Sequence, residues 1–167
     1  RERDHKWGFT TPPKLTLKSL MSFATHPMWT MNYLTHEKFQ LPNVSNFVKK
    51  SSSIAKGVME YINEQYDPAM SWKDAEYCVK RWKGPFALKG VMSVEDAKRA
   101  IDIGASAIML SNHGGRQLDG SRSPFDQLKT IVDAVGGKIE IIIDGGIRRG
   151  THVLKALSLG ATACSFG

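Results

Sequence analysis

Two stretches of this chain repeat each other. Gly104-Ala105 and Gly160-Ala161 stand 56 residues apart, each after a helix-like segment and before a short apolar run. At the same offset Gly90 matches Gly146, Val91 matches Ile147, Ala100 matches Ala156, and Ile101 and Ile103 match Leu157 and Leu159. Tandem strand–helix–strand units confine the chain to a parallel α/β architecture, because parallel strands need a crossover element between them. Repetition of such units is what a (β/α)8 barrel is made of. An open doubly wound sheet is the competing arrangement. Four strands cannot close a barrel, so the expectation is half a barrel with two unpaired sheet edges.

The punctuation from Ser71 onward supports this reading. Ser71 with Asp74 forms a capping box, followed by a helix to about Arg81 with Ala75, Cys78, Val79 and Trp82 at helical spacing. Gly84-Pro85 ends it, and 86–89 is a short strand. Ser93 with Asp96 opens a helix whose apolar face is Val94, Ala97, Ala100 and Ile101, stopped at Gly104. Ala107–Leu110 reads as a buried strand, and Ser123-Pro124 starts a helix that Gly136-Gly137 closes. A strand over 139–143, a helix from Thr151 to about Leu159 and a strand over 163–166 complete the series.

Residues 1–70 have another texture and are expected to form a long excursion apart from the 71–167 half-barrel. Residues 1–18 are charged and broken by Pro12 and Pro13. Residues 20–47 carry Met21, Phe23, Met28, Trp29, Met31, Tyr33, Phe39 and Phe47 but are interrupted by Pro27 and Pro42. Short helices are expected there, and their apolar content must cover a core, a partner or a membrane surface.

Charge narrows the partners. Lys and Arg number 23 against 16 Asp and Glu, a formal net charge of +7. The basic residues are interleaved with acids, as at Glu95, Asp96, Lys98 and Arg99, and no run has the length of a phosphate-tracking tail, so nucleic acid is not expected as a partner. A small anionic cofactor or substrate, or simply a basic surface, accounts for the excess. No apolar run approaches the roughly 18 residues needed to span a bilayer. The two cysteines, Cys78 and Cys164, have no metal-ligand spacing and are too few for a disulfide framework, so no metal site is expected and a reducing, cytoplasmic setting is. The chain begins at Arg1 and stops just after its last strand, and it is expected to be an internal piece of something longer.

In a β/α barrel, chemistry gathers at the carboxyl ends of the strands. Lys89 and Gly90 follow the first strand, the stretch from Ser111 to Asp119 the second, the stretch from Asp144 to Gly150 the third, and Gly167 the fourth. The third turn has a phosphate logic: Gly145 and Gly146 let backbone approach closely, Arg148 or Arg149 supplies a forked cation, and a helix N-terminus points at the same place. In the second turn His113 can take a proton and Arg116, three residues on, can bind a carboxylate bidentately. Lys89, at the mouth of the barrel, faces an anionic cofactor; a snorkelling surface lysine is its plain alternative.

Three motifs carry a family resemblance: SNHGGRQLDG at 111–120, DGGIRRGTHVLKALSLGA at 144–161 and LKGVMSVEDAKRA at 88–100. With RERD at 1–4 and GFTTPPKLT at 8–16, the chain resembles the FMN-dependent α-hydroxy-acid dehydrogenases and oxidases over nearly its whole length. The resemblance implies a C-terminal half-barrel, strands five to eight, lacking strands one to four and the last helix. It implies FMN as cofactor and oxidation of an L-2-hydroxy acid such as lactate or mandelate to the 2-oxo acid. His113 corresponds to the catalytic base, Arg116 to the main clamp on the substrate carboxylate and Arg1 to the second substrate-contacting arginine. Lys89 falls near flavin N1 and Ser111 beside the flavin. Asp144, Gly145, Gly146 and Arg148 would hold the ribityl chain and phosphate, with Gly167 starting the last phosphate contact.

Residues 19–62 correspond to the variable loop after the fourth strand, which in some members carries the enzyme to the membrane. Its aromatic and Met content, with Lys49, Lys50 and Lys56 nearby, fits peripheral contact with anionic lipid at the inner membrane; a lid or intersubunit cover is the alternative. The family also implies a homo-oligomer at full length and an electron acceptor among oxygen, quinone and cytochrome. Missing here are the family's tyrosines, the aspartate that orients the histidine and the arginine after the glycine of strand eight. The 167 residues alone are therefore expected to bind FMN weakly or not at all, to turn over no hydroxy acid and to aggregate. Competing readings are another phosphate-binding barrel enzyme, or an inactive partial chain that binds a phosphate or a partner without catalysis.

Overall fold

The computed structural model describes residues 15–37, 43, 47 and 54–167. Its contacts divide the chain into two compact units, Arg1–Ala69 and Met70–Gly167. In the first unit, α1 (Leu17–Thr25) and α2 (Pro27–Thr35) are separate helices, and α3 spans Ile54–Gln65. Thr16 and Ser19 cap α1 reciprocally, the Ser19 N–H donating to Thr16 Oγ1 at 3.2 Å and the Thr16 N–H to Ser19 Oγ at 2.8 Å. Proline at the first position of α2 has no N–H to continue the α1 ladder, so the helix breaks at His26. Stacked rings then join the two helices, Phe23 on Trp29 at 5.6 Å and Trp29 on Tyr33 at 5.3 Å between centroids. Pro12, Pro13, Phe39, Pro42, Lys49 and Lys50, and the side chain of Lys56, lie outside the described residues.

The second unit runs α4 (Trp72–Trp82), β1 (Ala87–Lys89), α5 (Val94–Asp102), β2 (Ala107–Leu110), α6 (Pro124–Val135), β3 (Glu140–Asp144), α7 (Gly150–Ser158) and β4 (Ala163–Ser165). The caps are those the residue types dictate. Ser71 N–H and Oγ both reach Asp74 Oδ2 at 2.7 Å, Ser93 Oγ accepts the Asp96 N–H at 3.1 Å, and Ser123 Oγ accepts the Asp126 N–H at 3.2 Å. Gly136 closes α6 with φ +57, the left-handed conformation that a side chain disfavours.

All four strands are parallel and lie in the order β1-β2-β3-β4. A doubly wound sheet reverses its strand order at a switch point; this one advances one strand at a time, as part of a β/α barrel does. Register separates the two faces. Ile108, Leu110, Ile141 and Ile143 are buried on the face that packs against helices, with Leu128, Ile131 and Val135 of α6 filling the same core. Each such side chain stabilises by about 1.5–3 kcal/mol on burial. The opposite face presents Lys89, Met109, Ile142 and Ala163 in one registered row.

The sequence repeat is a structural one. Ala105 N–H donates to Ala100 O at 3.0 Å and Ala161 N–H to Ala156 O at 3.1 Å; Gly104 N–H bonds Ile101 O at 2.9 Å and Gly160 N–H bonds Leu157 O at 3.0 Å. Both glycines are left-handed, with φ +82 and +100. Element ends shift by a residue or so from the sequence expectation: β1 begins at Ala87, α7 begins at Gly150, and β4 ends at Ser165. The shift that matters is at β3, which starts after Ile139 and takes in Asp144. Asp144 is thus the last strand residue, paired with Ser165, rather than the first residue of the turn.

Gly160 is sterically locked, because a Cβ there would meet Val132 Cγ1 at 2.6 Å. Gly160→Ala is expected to destabilise the fold by at least about 2 kcal/mol in denaturant unfolding, from the close contact and the positive φ together. Adding Val132→Ala should recover the steric part and leave the backbone part, so the double variant falls short of additivity by about 1 kcal/mol or more.

Candidate functional site

The carboxyl ends of the strands bring four polar side chains onto one face of the sheet. Lys89 ends β1, Ser111 follows β2, Asp144 ends β3 and Ser165 ends β4. Ser111 Oγ donates to Asp144 Oδ2 at 2.7 Å, and Lys89 Nζ lies 3.1 Å from the same oxygen. Ser165 stands opposite Asp144 in the β3–β4 register. The Asp144 side chain keeps only 19% of its surface. Its carboxyl is nonetheless held below the usual carboxylate range, chiefly by the Ser111 hydroxyl, against partial burial, with help from the Lys89 ammonium and Ser165.

Above this network the 111–122 loop is wound tightly. Ser111 Oγ accepts the His113 N–H at 3.1 Å. Asn112 holds the loop from both sides, its Oδ1 accepting the Gly115 N–H at 3.2 Å and its Nδ2 donating to Arg122 O at 3.3 Å. His113, Gly114 and Gly115 are three successive left-handed residues, with φ of +57, +64 and +71. Glycine takes this conformation freely, whereas for the histidine it costs roughly 1–2 kcal/mol. Backbone strain of this kind clusters at functional sites, and here it falls on an exposed imidazole beside a buried network. The Arg116 N–H donates to His113 O at 3.2 Å, so imidazole and guanidinium are carried on one turn.

After β3, Gly145 (φ +97) and Gly146 (φ +74) turn the chain, and nothing lies within 4 Å of where their Cβ atoms would stand. Arg149 offers no side-chain cap to α7; the His152 N–H bonds Arg149 O at 2.9 Å, and among the described residues no side chain caps the start of the helix. The Arg148 N–H donates to His152 Nδ1 at 3.2 Å, which fixes the turn against the helix. Among the described residues no carboxylate pairs with the Arg148 guanidinium. An open glycine cradle, a helix N-terminus and an uncommitted guanidinium suit a phosphate group.

Of the residues singled out from the sequence, Lys89, Ser111 and Asp144 are in direct contact, and His113 is tied to them through Ser111. Arg116 follows on the same loop, while Gly145, Gly146 and Arg148 form the neighbouring turn. Gly167 lies two residues beyond β4, and Arg1 falls outside the described residues. Sequence reasoning passed over Ser165, Asn112 and His152. Ser165 carried one signal, its place at the end of the fourth strand. Asn112 carried another, an amide side chain before two glycines, where it can bond backbone two or three residues on. His152 in the first turn of a helix gave none.

Polar groups gathered at the carboxyl ends of a consecutively ordered parallel sheet define the class: a β/α protein of the barrel kind. The whole sequence, residues 1–167, matches the model of the FMN-dependent dehydrogenases, and the chain belongs to that family. It is 40% identical to an L-lactate dehydrogenase of Haemophilus influenzae and 39% identical to one of Alcaligenes faecalis, in each case over all of this chain and 44% of the relative. Among solved structures, the monotopic membrane protein (S)-mandelate dehydrogenase superposes with a TM-score of 0.82 and 36% identity, over 100% of this chain and 43% of that one. A mandelate oxidase variant with a monooxide FMN adduct aligns at TM-score 0.57 and 49% identity, over 59% of this chain and 31% of its own. The chain spans less than half the length of these relatives.

A depressed carboxyl fixes the sign of the acid response. Stability from Asp144 is complete above the unfolded carboxyl value of about 4 and is lost as pH falls through the lower folded value. Asp144→Asn is expected to lower stability at neutral pH and to flatten the loss of stability below about pH 4, as followed by circular dichroism.

Proposed function

We propose that the protein carrying this chain oxidises a small L-2-hydroxy acid, of the lactate or mandelate kind, to the 2-oxo acid with FMN. In this reading residues 71–167 are strands five to eight of a (β/α)8 barrel and residues 1–70 are an excursion after strand four. The observation that carries it is the line of contact from Lys89 through Asp144 and Ser111 to the strained His113, which gathers a cation, a proton acceptor and the Arg116 turn at one end of the sheet. Family membership and 40% identity to an L-lactate dehydrogenase support it.

The residues present fit FMN. Gly145, Gly146, Arg148 and the start of α7 would take its phosphate, with Gly167 completing that end, and Asp144 and Ser111 its ribityl side. Lys89 would stand near the ring, its charge favouring added negative charge there. When bound, FMN supplies the acceptor for two electrons. Arg116, with Arg1, would grip the substrate carboxylate through paired N–H donors and orient the hydroxyl-bearing carbon. An unprotonated ring nitrogen of His113 would take one of the two protons lost on oxidation, while the other proton and the two electrons pass to the acceptor that FMN supplies.

In the whole protein, anaerobic L-lactate or L-mandelate should bleach the flavin band. His113→Ala should slow that bleaching by about 10²–10⁴-fold, and Arg116→Lys should raise KM by about tenfold or more, since a bidentate charged pair is lost. A protein that stays colourless after added FMN would overturn the reading in favour of another phosphate-binding barrel or a non-catalytic chain. The 167 residues by themselves, with β1 and β4 as open edges and Met109 and Ile142 half exposed, should bind FMN weakly and aggregate. Tight stoichiometric flavin in that piece counts against it.

The first unit suits peripheral contact with anionic lipid. Leu17, Leu20, Met21, Met28, Trp29, Met31, Tyr33 and Leu34 are all exposed on two short helices. No described helix is long and apolar enough to cross a membrane. The whole protein should co-sediment with anionic vesicles, and deletion of 20–48 should abolish this while leaving FMN binding intact; unaltered sedimentation of the deletion variant assigns the segment to a lid or subunit cover instead.

A further inference from the structure

Ser111 stands between Asp144 and His113. It is buried, with 5% of its surface exposed, whereas His113 is exposed. Its Oγ donates to Asp144 Oδ2 at 2.7 Å and accepts the His113 N–H at 3.1 Å. A serine hydroxyl has one hydrogen and a rotor free to choose its direction. An ionised carboxylate can only accept, so Asp144 draws that hydrogen toward itself and leaves a lone pair facing the His113 N–H. Lys89 Nζ, 3.1 Å from the same carboxylate oxygen, favours its ionised form.

The bond so fixed lands on the residue with the strained backbone. His113 has φ +57 and is followed by two glycines that impose no preference of their own. Left to itself the histidine would relax toward negative φ, and its side chain would be carried to another position. A strain of roughly 1–2 kcal/mol is matched by one or two hydrogen bonds of ordinary net strength, so a single anchor decides the populated conformer.

We propose that Ser111 and Asp144 are positioning residues for His113: the carboxylate orients the hydroxyl, and the hydroxyl holds the backbone of the base in its left-handed conformation. This gives the network a task beyond contact with a cofactor, and it rests on His113 being the proton acceptor.

The test uses the whole FMN-bound protein and the variants Ser111→Ala and Ser111→Thr. Loss of the anchor in Ser111→Ala should speed hydrogen exchange of the His113 amide about tenfold and, at saturating FMN, lower kcat about tenfold or more with KM changed less than about threefold. Ser111→Thr keeps an Oγ and should restore slow exchange. Unchanged exchange in Ser111→Ala overturns the proposal, as does a tenfold loss of FMN affinity with kcat preserved, which makes Ser111 a cofactor contact alone. A His113→Ala protein that still oxidises hydroxy acid at the original rate defeats the base assignment instead, and the amide exchange of Ser111→Ala reports on the anchor independently of that result.

Discussion

One carboxylate ties this site together. Asp144 ends the third strand and meets groups from the other three: Lys89 of β1 and Ser111 after β2 in direct contact, and Ser165 of β4 as its partner in the register. Parallel strands in register carry these residues to the same edge and the same face, so little loop rearrangement is needed to assemble them. Partial burial alone would push such a carboxyl up. Hydroxyl and ammonium partners reverse that tendency, and the ionised group then dictates which way the hydroxyl hydrogens point.

The network depends in turn on the unequal faces of the sheet. On one face Ile108, Leu110, Ile141 and Ile143 are sealed against helices, which makes the strands a firm base. On the other the row from Lys89 to Ala163 is open and leads up to the polar groups. The strained turn at His113 sits on this base and not on a free loop. Asn112 spans the loop it belongs to, and Ser111 pins its first residue, so backbone strain is confined between anchored points.

The glycine turn after β3 meets the same site with a different device. Gly145 and Gly146 leave their surroundings open, and the helix that follows is secured by the bond from the Arg148 N–H to His152. The His113 turn and the glycine turn thereby follow adjacent strands, with Asp144 as the shared boundary. In the first unit the short helices have the opposite character: exposed Met, Trp and Leu side chains joined by a ladder of stacked rings.

Much of the second unit was legible from sequence because its signals are local. Ser71, Ser93 and Ser123 cap helices through atoms three residues away, Gly136 ends one through its own φ, and the 56-residue repeat reappears as matching bonds at Gly104 and Gly160. Periodicity alone separated strands from helices, and the residues after each strand marked where the site would be. Partnership was beyond reach: no spacing says that Ser111 bonds a residue 33 positions away, or that Ser165 joins them. Nor could sequence tell that Asp144 belongs to its strand and not to the turn, because register is set by pairing with β4. Local chemistry decides which elements form and where they stop; only the packing of the strands side by side decides which polar groups meet, and so which of them hold a proton, a charge or a backbone in place.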